Sequence, residues 1–295
     1  MKREAFGSSE PGAPASAGTI EDRTIGRILV DLGKLKAKDV ARVFALHRKK
    51  GLRFGEAARR LRLVDEDDIR TALAIQFDYP YLKPGQGMLG PELITAYDPF
   101  HAQSEALRDL RTHLVTQWAS GERRVLAVVS PAPQDGRSYL AANLAVAFAQ
   151  LGEETLLIDA DLRCPRQHRV FGLNGGVGLA QALSGRGGVG IAERIAYFHN
   201  LGVIGAGAAP PNPLELLSRE GLPRLLGAAR REYTIVILDT SAAARGADAK
   251  VVASRADGVL MVARQDCTKL VELERLRQAV VTSGVPVVGT VLNRA

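Results

Sequence analysis

The sequence is poor in cysteine, in aromatic residues and in long apolar runs. Its two cysteines, Cys164 and Cys267, exclude a disulfide scaffold and lack the paired spacing of a zinc site. The five histidines are scattered and form no metal-ligand motif. No apolar run reaches the roughly 18 residues of a transmembrane helix, and no secretory signal opens the chain. We therefore expect a cytoplasmic protein that begins with a flexible tail, residues 1–18.

Acidic residues are nearly missing from residues 42–62. This stretch carries eight lysine and arginine side chains against Glu56 alone, a net charge of +7 that equals the formal net charge of the whole chain. Such a segment can hold nucleic acid, anionic lipid or an acidic ligand, or it can be a solvated helix face. Because Phe44 and Phe54 are its only aromatic residues, base stacking is disfavoured, and a nucleic-acid partner is the weakest of these alternatives.

An internal repeat covers the same region. Residues 25–47 and 54–76 match at a constant offset of 29 positions, which pairs Gly26 with Gly55 and Asp39 with Asp68. Each copy reads as a short helix, a turn, an acidic helix start and a second amphipathic helix. The repeat predicts a small all-α domain over residues 19–82.

The rest of the chain changes character twice. Residues 83–100 are rich in proline and glycine and read as a linker. From residue 101 to 295, apolar runs rich in β-branched residues alternate with helical patterns. Near-continuous apolar strands that alternate with helices are typical of a parallel sheet covered on both faces, so we expect an α/β fold with a mostly parallel sheet.

A phosphate loop follows the first of these strands. The segment "VVSPAPQDGRSYLAANLAVAF" supplies a strand, a turn with Gly136 and a helix start, and backbone N–H groups at such a turn stabilise phosphate. Ser138 can place its hydroxyl on Mg²⁺. The general pattern G-x-x-x-x-G-K-[ST] is broken at two positions, by Pro131 and by Arg137.

Carboxylates end two other apolar runs. Asp159 and Asp161 close "LLIDAD", and Asp239 closes "TIVILD". A single aspartate here would be read as a helix N-cap in a strand–helix loop. Because carboxyl ends of parallel strands meet at one edge of the sheet, three such aspartates together with Gly136 and Ser138 favour a Mg²⁺–nucleotide site.

These motifs resemble those of the bacterial tyrosine kinases (BY-kinases) of polysaccharide export, within the MinD/ParA-like group of P-loop NTPases. Ser130–Ser138, "SPAPQDGRS", matches the family's "SPxPGEGKS", so Pro131 is the family's own variant while Gln134 and Arg137 depart from it. Further matches cover residues 100–295: "LLIDADLRCPRQH", "VILDT", "PPNPLELL" and "GTVLN". With the N-terminal repeat, the order resembles the EpsG-type chain length determinant kinases.

The resemblance implies ATP and Mg²⁺ as cofactors and assigns residues to roles. The implied catalytic residues are Asp159, which would help to remove the tyrosine proton, Asp161 and Arg137. The implied metal ligands are Ser138, Asp161 and Asp239. The implied nucleotide-binding residues are Gln134, Asp135, Gly136, Arg137, Ser138, Tyr139 and Asn293. Of these, Asn293 would contact the adenine base. Because arginine keeps the charge but is longer and planar, we expect binding to survive better than turnover.

The resemblance also implies partners. The family's E-x-x-R-x-x-R helix is matched by Glu105, Arg108 and Arg111 and implies a homo-oligomer interface. A membrane-spanning polysaccharide chain-length determinant protein would hold the kinase at the periphery of the inner membrane. The N-terminal repeat resembles the N-terminal domain of secretion ATPases, some of which bind cyclic di-GMP. Only the second copy keeps that motif, at Arg53, Gly55 and Gln76, so a docking module is the favoured interpretation.

Three functions follow in order of support. The first is an ATP-dependent protein-tyrosine kinase that regulates exopolysaccharide chain length and export. The second is a catalytically weak nucleotide-dependent switch ATPase of the MinD/ParA-like group, and the third is a partition protein that binds nucleic acid. The chain has no tyrosine cluster near residue 295, so phosphorylation of a tyrosine-rich tail is unsupported. Tyr79, Tyr81 and Tyr97 are the alternative acceptors, but for Tyr79 and Tyr81 packing as apolar anchors is the favoured interpretation.

Overall fold

The computed structural model describes residues 24–77, 79–82, 87–118 and 124–294. The chain divides into two compact units, Met1–Tyr79 and Pro80–Ala295. The flexible tail expected at residues 1–18 lies outside the described residues. No helix within the described ranges combines the length and apolar character that crossing a membrane requires.

The first unit is helical and follows the repeat. Its helices are α1 (Ile25–Asp31), α2 (Ala37–Lys50), α3 (Phe54–Arg60) and α4 (Glu66–Gln76). A small apolar core, with Leu29 and Val43 fully buried, joins all four helices. The glycines that the repeat pairs, Gly26 and Gly55, lie where a side chain of another helix packs closely against the backbone. A Cβ on Gly26 would meet the ring of Phe54, and one on Gly55 would meet Ile69.

The segment between the repeat and residue 101 belongs largely to the second unit. It contains a single-turn helix, α5 (Ile94–Tyr97), and both Leu93 and Ala96 are fully buried. Two buried amides fasten it. Asn143 accepts from the backbone N–H of Thr95 at 3.0 Å, and Gln150 donates to the Pro80 carbonyl at 2.8 Å. The prolines and glycines of residues 83–100 therefore include a stretch that packs, and the units separate after Tyr79.

The second unit is built on a seven-stranded sheet in the order β3-β4-β2-β5-β1-β6-β7. Every pair is parallel except β3 with β4, so the predicted α/β class with a mostly parallel sheet is confirmed. The strand β3, at three residues, is too short to leave a pattern in the sequence. The strands are β1 (Arg124–Val129), β2 (Thr155–Asp159), β3 (Glu193–Ile195), β4 (Phe198–Ile204), β5 (Ile235–Asp239), β6 (Gly258–Arg264) and β7 (Val287–Asn293).

Helices cover both faces of this sheet. Alternate residues of β1 enter two separate cores, Val125 and Ala127 on one face, Leu126 and Val128 on the other. The helix after β1, α7 (Arg137–Gln150), is buried along almost its whole length. The remaining helices are α6 (Ala102–Gln117), α7 (Arg137–Gln150), α8 (Gln167–Val170), α9 (Leu179–Leu183), α10 (Pro213–Ser218), α11 (Gly221–Glu232), α12 (Asp248–Ala253) and α13 (Leu270–Thr282).

Candidate nucleotide and phosphoryl-transfer site

The three strands that precede the predicted site residues are adjacent at the centre of the sheet. The order β2-β5-β1 brings the carboxyl ends of all three to one edge. In this register Asp159 of β2 lies opposite Asp239 of β5, and Asp239 lies opposite Val128 of β1. The parallel topology therefore sets both carboxylates beside the loop that leaves β1.

The loop from Ser130 to Gly136 has the backbone of a phosphate cradle. Gln134 and Gly136 both have positive φ, at 66° and 104°. The buried carboxylate of Asp135 accepts from the Ala132 N–H and from the Thr268 hydroxyl, each at 2.8 Å. With the loop held from within, Gln134, Gly136 and the first residues of α7 line a cavity, which is the placement that anion binding by a loop and a helix N-terminus requires.

A cavity of about 300 Å³ opens in front of the loop. Arg137, Arg166 and Arg245 contribute cationic groups to its wall, and Asp161 is the one carboxylate of that wall among the described residues. Asp159 and Asp239 lie behind the lining. An excess of cationic groups around loop amides suits a polyphosphate. The lining residues are Pro133, Gln134, Gly136, Arg137, Ser138, Tyr139, Asp161, Cys164, Arg166 and Arg245.

The arginine at the lysine position is held by the protein itself. Arg137 is buried, and its Nε donates to the Thr240 carbonyl at 2.9 Å. Its Nη1 donates to the Ala132 carbonyl at 2.8 Å and to the hydroxyl of Ser130. Burial lowers the pKa of Arg137, while the Asp239, Asp161 and Asp135 carboxylates act in the opposite direction. The guanidinium thus ties the phosphate loop to the end of β5.

Asp239 is a buried carboxylate with one oxygen left over. Burial raises its pKa to about 6, and hydrogen bonds from Gln167 and Ser138 and the charge of Arg137 hold it below a still higher value. Its Oδ2 accepts from Gln167 Nε2 at 2.7 Å, whereas its Oδ1 has no hydrogen-bond partner. A buried carboxylate oxygen in this state is costly unless a cation or a donor reaches it.

Asp159 organises the loop that follows β2. It is fully buried, and its carboxylate accepts from the backbone N–H groups of Asp161 at 3.2 Å and of Arg166 and Gln167 at 2.9 Å each. Burial and the Asp239 carboxylate raise its pKa well above the usual range. This loop in turn presents Asp161, whose Oδ1 accepts from the Cys164 N–H at 2.9 Å, to the cavity.

The residues present fit a divalent cation. The Oδ1 of Asp239 has no hydrogen-bond partner and can therefore bind a cation. Ser138 hydrogen-bonds the same carboxylate, and Asp161 lines the adjacent cavity. Within the described ranges no group of three histidine, cysteine, aspartate or glutamate side chains is arranged to hold a metal alone. Mg²⁺ suits such a sparse set because it usually takes one or two carboxylates together with phosphate oxygens and water.

A second, mostly apolar cavity of about 350 Å³ adjoins the first and shares Gly136 and Tyr139 with it. Its walls come from α6, α7, β6 and the end of β7, including Asn293. The Asn293 amide donates to the Asp135 carbonyl at 3.1 Å, and a Cβ on Gly136 would collide with that amide. The two cavities together have room for a base at one end and a polyphosphate at the other.

The arginines of α6 predicted to lie at an interface form hydrogen bonds within the chain. Arg108 pairs with Glu105 and donates to the Pro99 carbonyl, while Arg111 donates to the Ala147 carbonyl of α7 at 2.8 Å. Glu105 remains well exposed, with 64% of its side chain accessible. The interface expected at these residues stays a prediction.

Sequence reasoning missed two contacts of the site. Gln167, fully buried, bridges the Ser138 carbonyl at 3.1 Å and Asp239, and a lone glutamine at the start of the short helix α8 carries no recognisable signal. Arg163 forms a two-point ion pair with buried Asp248, at 2.8 and 3.2 Å. Its place beside Asp161 in "DADLR" could have singled it out.

Comparison with curated proteins finds relatives along two thirds of the chain, and no protein-family model matches. The tyrosine-protein kinase YwqD of Bacillus subtilis is 36% identical over 203 residues, which cover 68% of this chain and 85% of YwqD. The tyrosine-protein kinase Wzc of Salmonella typhimurium is 33% identical over 202 residues, 68% of this chain but 28% of Wzc. The match thus spans most of one relative and under a third of the other.

Comparison with solved structures gives the same neighbourhood. The kinase domain of the Escherichia coli tyrosine kinase ETK superposes with a TM-score of 0.67 at 30% identity, covering 71% of this chain and 82% of that one. The chimerical protein CapA2B2 gives 0.65 at 29% identity, over 76% of this chain and 98% of that one. The septum site-determining protein MinD of Pyrococcus horikoshii, at 22% identity and 0.52, shares the fold.

Proposed function

Because the chain belongs to the family of bacterial tyrosine-protein kinases, we propose that its second unit transfers the γ-phosphoryl group of ATP to tyrosine hydroxyls. The observation that carries this proposal is the convergence of the phosphate loop with Asp159, Asp161 and Asp239 at one edge of the sheet. By analogy with its relatives, the chain would regulate exopolysaccharide chain length and export.

In this proposal the chain binds the nucleotide across the two cavities. The loop from Gln134 to Ser138, the start of α7 and Arg245 hold the phosphates, while Asn293 and Tyr139 border the base. Mg²⁺, when bound at Ser138, Asp161 and Asp239, supplies charge neutralisation of the transferring group. The protein itself contributes positioning and exclusion of water, which dominate catalysis of phosphoryl transfer.

We assign proton removal from the incoming tyrosine to Asp159. Burial and the Asp239 carboxylate raise the pKa of Asp159, which makes its ionised carboxylate a stronger base than an ordinary aspartate. Since Asp159 lies behind the cavity lining and is held by three loop amides, the acceptor reaches it only when the loop of residues 160–166 shifts. Asp161, already in the lining, guides the acceptor toward the phosphate.

One observation supports the alternative of a weak nucleotide switch. Two of the three guanidinium nitrogens of Arg137 donate hydrogen bonds to oxygens of the protein. The charge therefore cannot follow a moving γ-phosphoryl group unless those hydrogen bonds break. Binding with slow or absent transfer would then change the protein's oligomeric state instead of labelling tyrosine. The same site residues serve both functions.

The remaining assignments are part of the proposal. A membrane-spanning chain-length determinant protein would recruit the chain to the inner face of the membrane, where it would act as a homo-oligomer. Cyclic di-GMP binding at Arg53, Gly55 and Gln76 stays a prediction, and the structure gives Gly55 a packing role against Ile69.

The test is incubation of the purified chain with labelled ATP and Mg²⁺, with and without the cytoplasmic segment of such a partner. We expect label on tyrosine that is lost in Asp161→Asn, while Asp266→Asn, on an exposed loop, retains it. Phosphate release without protein label would support the switch. Absence of any Mg²⁺-dependent nucleotide binding by calorimetry would contradict both functions.

A further inference from the structure

The excess positive charge of this chain is concentrated at one turn of the first unit. Arg48, Lys49 and Lys50 end α2, Gly51 takes a left-handed conformation, and Arg53 precedes α3. All four cationic side chains are exposed. We call Arg48, Lys49, Lys50 and Arg53 the cationic turn.

Acidic groups neutralise three of the four other basic residues of the segment, and Arg62, like the cationic turn, forms no salt bridge among the described residues. Arg42 pairs with Asp39 at 2.8 Å, Arg59 with Glu66 at 2.7 Å and Arg60 with Glu56 at 3.4 Å. Across the ranges the structure describes, the four side chains of the cationic turn have no acidic partner. Their charge is therefore available to a ligand outside the chain.

Helix stability explains only part of this arrangement. Cations in the last turn of α2 interact favourably with the negative end of its dipole. Arg53, however, is the N-cap residue of α3, where the dipole is positive and a cation is unfavourable, and its side chain makes no capping hydrogen bond. A charge placed against its local environment indicates a function beyond folding.

The composition around the turn favours a lipid surface over nucleic acid. Residues 42–62 contain no asparagine, glutamine, serine or threonine, so the neutral polar groups that contact sugars and bases are missing. Phe44 lies one helical turn before Arg48, and its ring, packed on Phe54, remains 44% exposed. Cationic side chains beside an exposed aromatic ring suit the headgroup region of an anionic bilayer.

We propose that the cationic turn binds the surface of a bilayer containing anionic lipids, with Phe44 entering the headgroup region. This attachment belongs to the first unit and stands whether or not the second unit transfers phosphate. It would hold the chain at a membrane directly, in addition to any protein partner there.

The experiment is co-sedimentation of the full chain with vesicles of phosphatidylcholine alone or with about 30% phosphatidylglycerol. We expect binding to the anionic vesicles only, weakened by high salt. The triple variant Lys49→Ala, Lys50→Ala, Arg53→Ala should lose affinity on the order of 100-fold, since each cation near an anionic surface contributes about fivefold. Circular dichroism shows whether each variant keeps its helices.

The matched control is Arg42→Ala, Arg59→Ala, Arg60→Ala, which changes the net charge of the same segment equally but removes paired arginines. We expect it to bind nearly as well as the unaltered chain. An equal loss in both variants would overturn the proposal, because net charge would then suffice. Equal binding to neutral vesicles, no binding to anionic ones, or displacement from vesicles by duplex DNA at low concentration would overturn it as well.

Discussion

At the scale of single residues, Arg137 keeps the positive charge of the phosphate-loop lysine, but hydrogen bonds to the protein hold its side chain in place. Lysine at this position would be a mobile point charge, whereas the planar guanidinium of Arg137 bonds to Thr240, Ala132 and Ser130 and braces the loop. The positive charge remains near Asp239 and Asp161, so the electrostatic requirement for phosphate binding is kept. Its mobility is what the substitution removes.

Arg137→Lys should therefore raise the rate of tyrosine phosphorylation by about tenfold or more, because the lysine ammonium can follow the transferring group. A tenfold change in rate corresponds to about 1.4 kcal/mol of activation free energy. Nucleotide affinity should change by less than about threefold, since the charge is conserved. Single-turnover kinetics and calorimetry measure the two quantities. A large gain in affinity with an unchanged rate would contradict this account of Arg137.

Asp239 makes the stability of the nucleotide-free protein depend on pH. Its pKa rises from an unfolded value near 3.8 to about 6 on folding, chiefly because burial disfavours the carboxylate. The folded state therefore binds the proton more tightly, and stability is lost as the pH rises from about 4 to about 6. The shift corresponds to about 3 kcal/mol once the group is ionised.

Asp239→Asn should remove this loss. Without Mg²⁺ at pH 7.5 the variant should be more stable than the unaltered chain by about 1–3 kcal/mol, and its unfolding free energy should vary less between pH 4.5 and 7.5. Denaturant titrations at the two pH values measure this. Addition of Mg²⁺ and ADP should stabilise the unaltered chain and not the variant; equal pH dependence of the two would refute the assignment.

At the scale of elements, α6 joins the site to the molecular surface. Leu107 and Leu114 are buried, and Arg111 fastens the helix to α7 through the Ala147 carbonyl. Glu105 projects from the exposed side of the same helix. Both arginines of the E-x-x-R-x-x-R pattern are thus engaged within the chain, while the Glu105 carboxylate, although paired with Arg108, remains accessible to a second copy.

Glu105→Lys should weaken self-association by about tenfold if this face meets another copy, because a reversed charge at an interface faces like charge. The matched control is Glu232→Lys, an exposed acidic residue at the end of α11 and not on α6. Light scattering over a concentration series measures the oligomeric state. An equal effect of both variants would assign the change to net charge rather than to the interface.

At the scale of the whole molecule, the chain has two units with separate cores, and the stability of the second unit should depend on where the chain is cut between them. Leu82, Leu93 and Ala96 pack into the core of the second unit, and Asn143 and Gln150 use backbone groups of residues 80–95 as partners. A cut after Tyr79 leaves these contacts intact, whereas a cut at residue 101 removes them.

The fragment 80–295 should therefore fold and bind nucleotide with an affinity within about threefold of the full chain. The fragment 101–295 should be less stable by several kcal/mol, because two buried leucines are worth about 1.5–3 kcal/mol each and two buried amides lose partners. Thermal unfolding and calorimetry compare the two fragments. Equal stability would show that residues 80–100 are a linker after all.

The sequence alone determined the class of the fold and the neighbourhood of the site. Apolar runs alternating with helices fix a parallel sheet, because buried strands and covering helices leave distinct periodicities, and parallel topology brings strand ends to one edge. Phosphate-loop and aspartate motifs are local, so Gly136, Asp161 and Asp239 could be named from the chain itself. The short antiparallel β3 and the lone bridging Gln167 left no such local pattern.

Only the tertiary structure decided how those residues are used. It turned Arg137 inward, left one oxygen of Asp239 unpartnered, placed Asp159 behind the lining and assigned residues 87–98 to the second unit. Each outcome depends on contacts between segments far apart in sequence, where burial and hydrogen-bond partners are set by packing. A linear pattern records which groups are present, and packing decides which of them remain available for chemistry.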